Sequence, residues 1–206
     1  MGFVNINGVS SGQCNAKLQN AVREMKQTGV NIFALLDTRL STHRQNDLVR
    51  KESWKIYFAG SSSDKKGIAV YVNTGADIKI SNVTADPLGQ YIFLETVMEQ
   101  NKVLVVFVYG PSKLDEYKWW EKLKEMTDGY VYENVVIGGD TNLILNSELD
   151  AFNYQTHPRP RSVCLVNSWI DDFFLMDGFR EMYPDKKQYT WEKFRVMCKK
   201  GGLTAF

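Results

Sequence analysis

Asp140 and Asn142 stand two residues apart at the end of the apolar run Val135-Val136-Ile137-Gly138-Gly139. A strand has a side-chain period of two, so extended backbone would aim both to one side. A carboxylate there can orient a water, and a carboxamide can hold a phosphate. Paired glycines let the backbone approach a neighbour or a ligand. The same residue types also form ordinary turns after strands. The weight therefore falls on three further polar strand ends. Asn5-Ile6-Asn7-Gly8 closes the first apolar run, Asp37-Thr38-Arg39 follows Ile32–Leu36, and Tyr109-Gly110-Pro111 follows Val103–Val108.

If these ends meet, the site holds two carboxylates, up to three carboxamides and a phenol. Such oxygen donors suit a hard cation, Mg²⁺ or Mn²⁺. They also suit phosphodiester hydrolysis, in which a carboxylate orients the attacking water and cationic charge stabilises the phosphate oxygens. Each residue has a plainer use. Asn5 and Asn7 before Gly8 are turn formers, and for Asn7 the turn is the preferred reading. Asp37-Thr38 is equally suited to capping a helix. Tyr109 is otherwise a half-buried aromatic at a strand end.

The elements that must position these groups follow from periodicity. Phe3–Ile6 reads as a strand and Asn15–Thr28 as a helix, with Leu18, Ala21, Val22 and Met25 on one face. Ile32–Leu36 reads as a strand covered on both faces. A polar helix or loop spans Thr42–Lys51. Trp54–Ala59, Gly67–Val72, Ala76–Ser81, Tyr91–Met98 and Val103–Tyr109 read as strands joined by hairpin-type links. A helix over Asp115–Met126 should turn Trp119, Leu123 and Met126 inward. Val135–Gly139 is a strand, Ser162–Phe174 a helix, and Gly178–Met182 and Gln188–Trp191 strand-like. The expected fold is α/β, a two-layer sandwich of mixed, mainly antiparallel sheets flanked by helices, in a single domain over 1–206.

Composition narrows the class. The 206 residues are 44% hydrophobic and 24% charged, ordinary for a globular chain. With 25 basic and 24 acidic side chains the formal charge is +1, so any nucleic-acid contact must come from local patches. His157-Pro158-Arg159-Pro160-Arg161 is one such basic loop, read mainly as solvated. Lys65-Lys66 and Lys199-Lys200 are read the same way. Cys14, Cys164 and Cys198 lack zinc or disulfide spacing, which favours a reducing, intracellular setting. No apolar run is long enough to span a bilayer. Asp171-Asp172 reads as a solvated helix face and Asp150 as structural. Trp119, Trp120, Trp169 and Trp191 read mostly as core.

Six ordered blocks carry a family resemblance: Asn5-Ile6-Asn7-Gly8, Leu36-Asp37-Thr38-Arg39, Gly67-Ile68-Ala69-Val70, Val108-Tyr109-Gly110-Pro111, Gly139-Asp140-Thr141-Asn142 and Tyr189-Thr190-Trp191. Together they resemble the endonuclease/exonuclease/phosphatase superfamily, with its DNase I-like fold. The set is most similar to the apurinic-like endonuclease domain of non-LTR (LINE-type) retrotransposons. The resemblance implies Mg²⁺-dependent nicking of DNA to start target-primed reverse transcription. It implies a nuclear site of action and a reverse transcriptase domain in a longer polyprotein. It places Asp37 as the metal-binding acid, Asp140 on the nucleophilic water, and Asn5, Tyr109 and Asn142 on the phosphate or site floor. Asn7 and Arg39 would be substrate-side.

Three departures accompany the resemblance. Asp37 stands where the family has Glu, and Arg39 where it has His. Thr141 replaces an aromatic. The family's two last strands, which carry a Ser-Arg-Ile-Asp and a Ser-Asp-His segment, have no counterpart here. Neither His43 nor His157 lies in a matching block. The expectation is a C-terminally truncated domain with reduced stability. A catalytically inactive remnant that binds DNA or metal weakly is the second reading, and a phosphatase or phosphodiesterase acting on a small substrate the third.

Overall fold

The computed structural model describes residues 1–8, 14–61, 66–112, 115–130, 132, 134–150 and 159–186. The expected strand at Gln188–Trp191, together with His157, Lys65, Cys198 and Lys199-Lys200, lies outside these residues. Two compact units emerge, Met1–Tyr109 with Tyr132–Asp140, and Gly110–Val131 with Thr141–Phe206.

The first unit carries two four-stranded sheets. Its first sheet is built from β1 (Gly2–Asn5), β2 (Ile32–Leu36), β3 (Lys55–Ala59) and β4 (Ile68–Val72), in the order β1-β2-β4-β3. β1 and β2 are parallel, with Asn5 opposite Leu36. A parallel pair needs a crossover, and helix α1 (Cys14–Gln27) supplies it. The second sheet runs β5 (Ile78–Ala85), β6 (Tyr91–Met98), β7 (Asn101–Tyr109) and β8 (Asn134–Asp140) in sequence order. β7 and β8 are parallel, with Tyr109 opposite Asp140. The remaining pairs are antiparallel. This is the expected two-layer α/β sandwich of mixed sheets.

Strand alternation divides the core. Ile32, Ala34 and Leu36 of β2 join Val70 of β4 with Ile92, Leu94, Val105 and Phe107 of the second sheet. Phe33 and Leu35 point the other way, onto Leu18, Val22 and Met25 of α1. That opposition is why β2 has no polar position: every residue in it is buried. Phe33 stacks on Tyr71 with ring centroids 4.8 Å apart. Thr42–Lys51 forms a helix, α2, with no buried residue.

The second unit holds α3 (Tyr117–Asp128), α4 (Pro160–Asp172) and α5 (Gly178–Met182). Two expectations need correction. The buried face of α3 is Trp120, Leu123 and Thr127: Leu123 is inward as expected, but Trp120 and Thr127 are buried in place of Trp119 and Met126. Thr127 can be buried because its hydroxyl donates to the Leu123 carbonyl oxygen at 2.9 Å. Gly178–Met182 is a helical turn rather than a strand. The Asp177 carboxylate caps it, accepting from the amides of Phe179 and Arg180.

The basic loop also differs from expectation. Arg159 is not a solvated charge: its guanidinium donates to the carbonyl oxygens of Pro111, Ser112 and Asn142. Asp150 does act structurally, accepting from the Asn146 amide and pairing with Arg180. Asp172 is exposed, as expected, and pairs with Lys124. Trp120 and Trp169 are buried, whereas Trp119 is half-buried. Cys164 is a free, exposed thiol. Among the described residues no helix is long and apolar enough to cross a membrane.

Candidate active site

β1 and β2 run parallel, as do β7 and β8, so each pair delivers two chain ends to one edge. In open sheets with parallel strands, ligands bind beyond such carboxyl ends. Asn5 ends β1, Asp37 follows β2, Tyr109 ends β7 and Asp140 ends β8. All four belong to the first unit.

Asn5 and Asp140 are joined directly. The Asn5 amide nitrogen Nδ2 donates to Asp140 Oδ2 at 2.8 Å. The Asn5 side chain also hydrogen-bonds the Tyr109 hydroxyl. Its carbonyl oxygen Oδ1 accepts from the Asn7 amide at 2.8 Å. Asn5 is therefore both a turn former and a bridge between strand ends. Asn7 takes a left-handed backbone, φ 46°, and its carbonyl accepts from Lys17 at 3.4 Å. These interactions support the turn reading of Asn7.

Tyr109 is half-buried, and burial pushes its phenol up from 10.0 to about 12. The negative charges of Asp37 and Asp140 act in the same direction. Arg39 and the Asn5 hydrogen bond oppose the rise without cancelling it. Tyr109 is thus an O–H donor throughout the neutral range.

Asp37 is almost fully buried, with its carboxylate held by Arg39 through two bonds. Nε donates to Oδ1 at 3.0 Å, and Nη2 to Oδ2 at 2.6 Å. This forked geometry is the strongest form of carboxylate–guanidinium pairing. The Asp37 hydrogen bond is also the main reason the Arg39 guanidinium is held above its ordinary value. The expected helix-capping role for Asp37 is not seen, because Ser41 occupies the N-cap of α2.

The pair is fixed by unusual backbone. Asp37 has φ 55° and Arg39 φ 51°, both left-handed and costly for residues with a Cβ. Three backbone bonds hold the segment: Gly8 N–H to Asp37 O at 2.7 Å, Thr38 N–H to Gly67 O at 3.0 Å, and Arg39 N–H to Lys66 O at 3.0 Å. Gly8 leaves room for the arginine, since a Cβ there would lie 2.9 Å from Arg39 Cδ and Nη1.

Gly139 answers what the paired glycines approach. A Cβ at Gly139 would stand 2.0 Å from the Val108 carbonyl oxygen, and φ is 144°. The close neighbour is the adjacent strand, and the contact sets Asp140 beside Tyr109. Asn142 lies in the second unit, where its amide donates to the Gly110 carbonyl oxygen at 3.0 Å.

The donor chemistry of Asp37, Asp140 and Asn5 fits a hard divalent ion. Arg39 already engages both Asp37 oxygens, so an ion would reach that carboxylate only by displacing the guanidinium. No group of three or more His, Cys, Asp or Glu side chains converges among the described residues.

No family model matches the sequence. The fold is nevertheless shared with solved structures. An AP endonuclease from Archaeoglobus fulgidus aligns over 94% of this chain and 78% of its own, with 16% identity and a TM-score of 0.70. A 3′-5′ exonuclease (NExo) from Neisseria meningitidis aligns over 95% and 80%, with 16% identity and a TM-score of 0.66. The AP endonuclease LMAP from Leishmania major aligns over 94% and 72%, with 12% identity and a TM-score of 0.71. At these identities the likeness establishes the architecture: the chain has the DNase I-like fold on which these nucleases are built.

Proposed function

We propose that the chain is a DNA-directed phosphodiesterase that nicks one strand by water attack on a backbone phosphate. The observation that carries this reading is the Asn5–Asp140 contact at 2.8 Å, made where the carboxyl ends of two parallel strand pairs converge. Asp140 orients the water and accepts its proton. Asn5 holds Asp140 in place. Tyr109, neutral at physiological pH, donates to a phosphate oxygen, and Asn142 is assigned to the phosphate as well. Arg39 offers a cationic contact on the substrate side, and Asn7 a turn that presents Asn5.

Mg²⁺ or Mn²⁺ is the proposed cofactor, with Asp37 as its ligand; when bound it supplies positive charge to the phosphate oxygens. The fold of the two AP endonucleases and the exonuclease supports DNA as substrate. The block order further supports a retrotransposon origin, with nuclear DNA as target and a reverse transcriptase as partner.

A second reading is a protein that binds DNA or a cation without turnover, favoured by the engagement of Asp37 with Arg39. Supercoiled plasmid separates the two. Nicking that requires Mg²⁺ or Mn²⁺, stops in EDTA and is lost in Asp140→Ala supports the phosphodiesterase. A folded chain that retards DNA but leaves it intact supports the binder.

A further inference from the structure

We infer that Arg39 is a built-in competitor of the divalent cation at Asp37, so that the Asp37–Arg39 ion pair sets how much metal the site needs. This rests on the reading of Asp37 as the metal ligand and adds a regulator to it.

Three independent features point to a prepared position rather than a wandering surface arginine. The first is the two-bond fork, at 3.0 and 2.6 Å, that engages both oxygens of a buried carboxylate. Asp37 is 2% exposed, so solvent cannot readily replace that partner. The second is backbone: the left-handed φ values of 55° and 51° bend the segment so that residues i and i+2 meet. Such strain persists only where the surroundings enforce it, and the bonds to Gly8, Gly67 and Lys66 do so. The third is the missing Cβ of Gly8, whose place the arginine stem and one guanidinium nitrogen approach to 2.9 Å.

A guanidinium and a divalent ion cannot both hold those oxygens at close range, because their charges repel. Metal binding must therefore release Arg39. Its head group is then free for another anion, and the anion at hand in the proposed reaction is the DNA phosphate. Arginine suits that second partner as well as the first, because its planar fork matches carboxylate and phosphate alike. The exchange would couple metal entry to substrate capture. Before metal arrives, Arg39 neutralises Asp37; afterwards it presents a donor to the backbone.

Mn²⁺ binding, measured by electron paramagnetic resonance of the free ion, tests this without reference to activity. The samples are the wild-type chain, Arg39→Gln, Arg39→Lys and Asp37→Asn, each checked for folding by circular dichroism. Arg39→Gln should bind Mn²⁺ at least tenfold more tightly than wild type, Arg39→Lys should fall between, and Asp37→Asn should bind none. Arg39→Lys keeps a charge in the same place and guards against a misfolded glutamine variant. Equal affinity in wild type and both Arg39 variants, with binding lost in Asp37→Asn, would overturn the competition but leave Asp37 as the metal ligand. Binding that survives Asp37→Asn, or that no folded sample shows, would overturn both.

Discussion

The Asn5 amide donates to the Asp140 carboxylate at 2.8 Å, joining the end of the first strand to the end of the last strand in the sheets. The contact helps fix the orientation of both side chains. Replacing Asp140 by Asn should reduce nicking at least ~100-fold, the usual scale for losing a positioned general base. Asn5→Ala should cost about 10- to 100-fold, the value of a hydrogen bond to a charged group. Initial rates on supercoiled plasmid measure both, and a loss below twofold in Asn5→Ala would remove that residue from the mechanism.

Gly139→Ala should strongly destabilise the first unit. The added methyl would meet the Val108 carbonyl oxygen at 2.0 Å, and the backbone is in a region that alanine avoids. We expect a destabilisation of about 3 kcal/mol or more, from strain and steric displacement together. Urea denaturation followed by tryptophan fluorescence gives the number.

Phe33 is fully buried between β2 and α1, and its ring stacks on Tyr71. Phe33→Ala leaves a cavity there and should cost ~3–5 kcal/mol. A change under 1 kcal/mol in the same denaturation assay would mean that the helix collapses onto the sheet to refill the space.

Stability should fall at alkaline pH. The Tyr109 phenol is raised by burial to about 12, and Tyr71 is raised in the same direction, also by burial. A raised phenol holds its proton more tightly in the folded chain than in the unfolded one. Its contribution is complete below the ordinary value of 10.0 and is lost as pH climbs through about 12. Melting temperatures across pH 8–12 should decline beyond pH 10, and less so in Tyr109→Phe. The buried Tyr71 hydroxyl has no hydrogen-bond partner among the described residues. Tyr71→Phe should therefore stabilise the chain by about 1 kcal/mol at neutral pH, and a loss instead would point to a partner for that hydroxyl.

What the sequence could reveal depended on how local the signal was. β2 is legible because five apolar residues in a row have only one economical placement, between two layers. On α3 the sequence points to Leu123 correctly but not to Thr127, which is polar by type yet satisfied within its own helix. Gly178–Met182 looks like a strand by its residues, but a single cap at Asp177 decides for a helix. Arg159 reads as displayed charge, since nothing in its neighbours shows that three distant carbonyls converge on it. The four polar strand ends were legible individually, while their meeting depended on the order of blocks along the chain. The fork between Asp37 and Arg39 was not legible at all. A spacing of two places side chains together only in extended chain, and here two left-handed residues make the bend.

The bridge between Asn5 and Asp140 spans 135 positions of sequence. A ribosome releases the N-terminal strand long before β8 exists. Asn5 must then wait while helix α1, three antiparallel hairpins and a second crossover are made. Contacts of such separation form late and slow the folding of a domain. β8 is the last strand to emerge among the described residues, and it carries Asp140; on the proposed reading the growing chain would lack its water-orienting carboxylate until that strand is made.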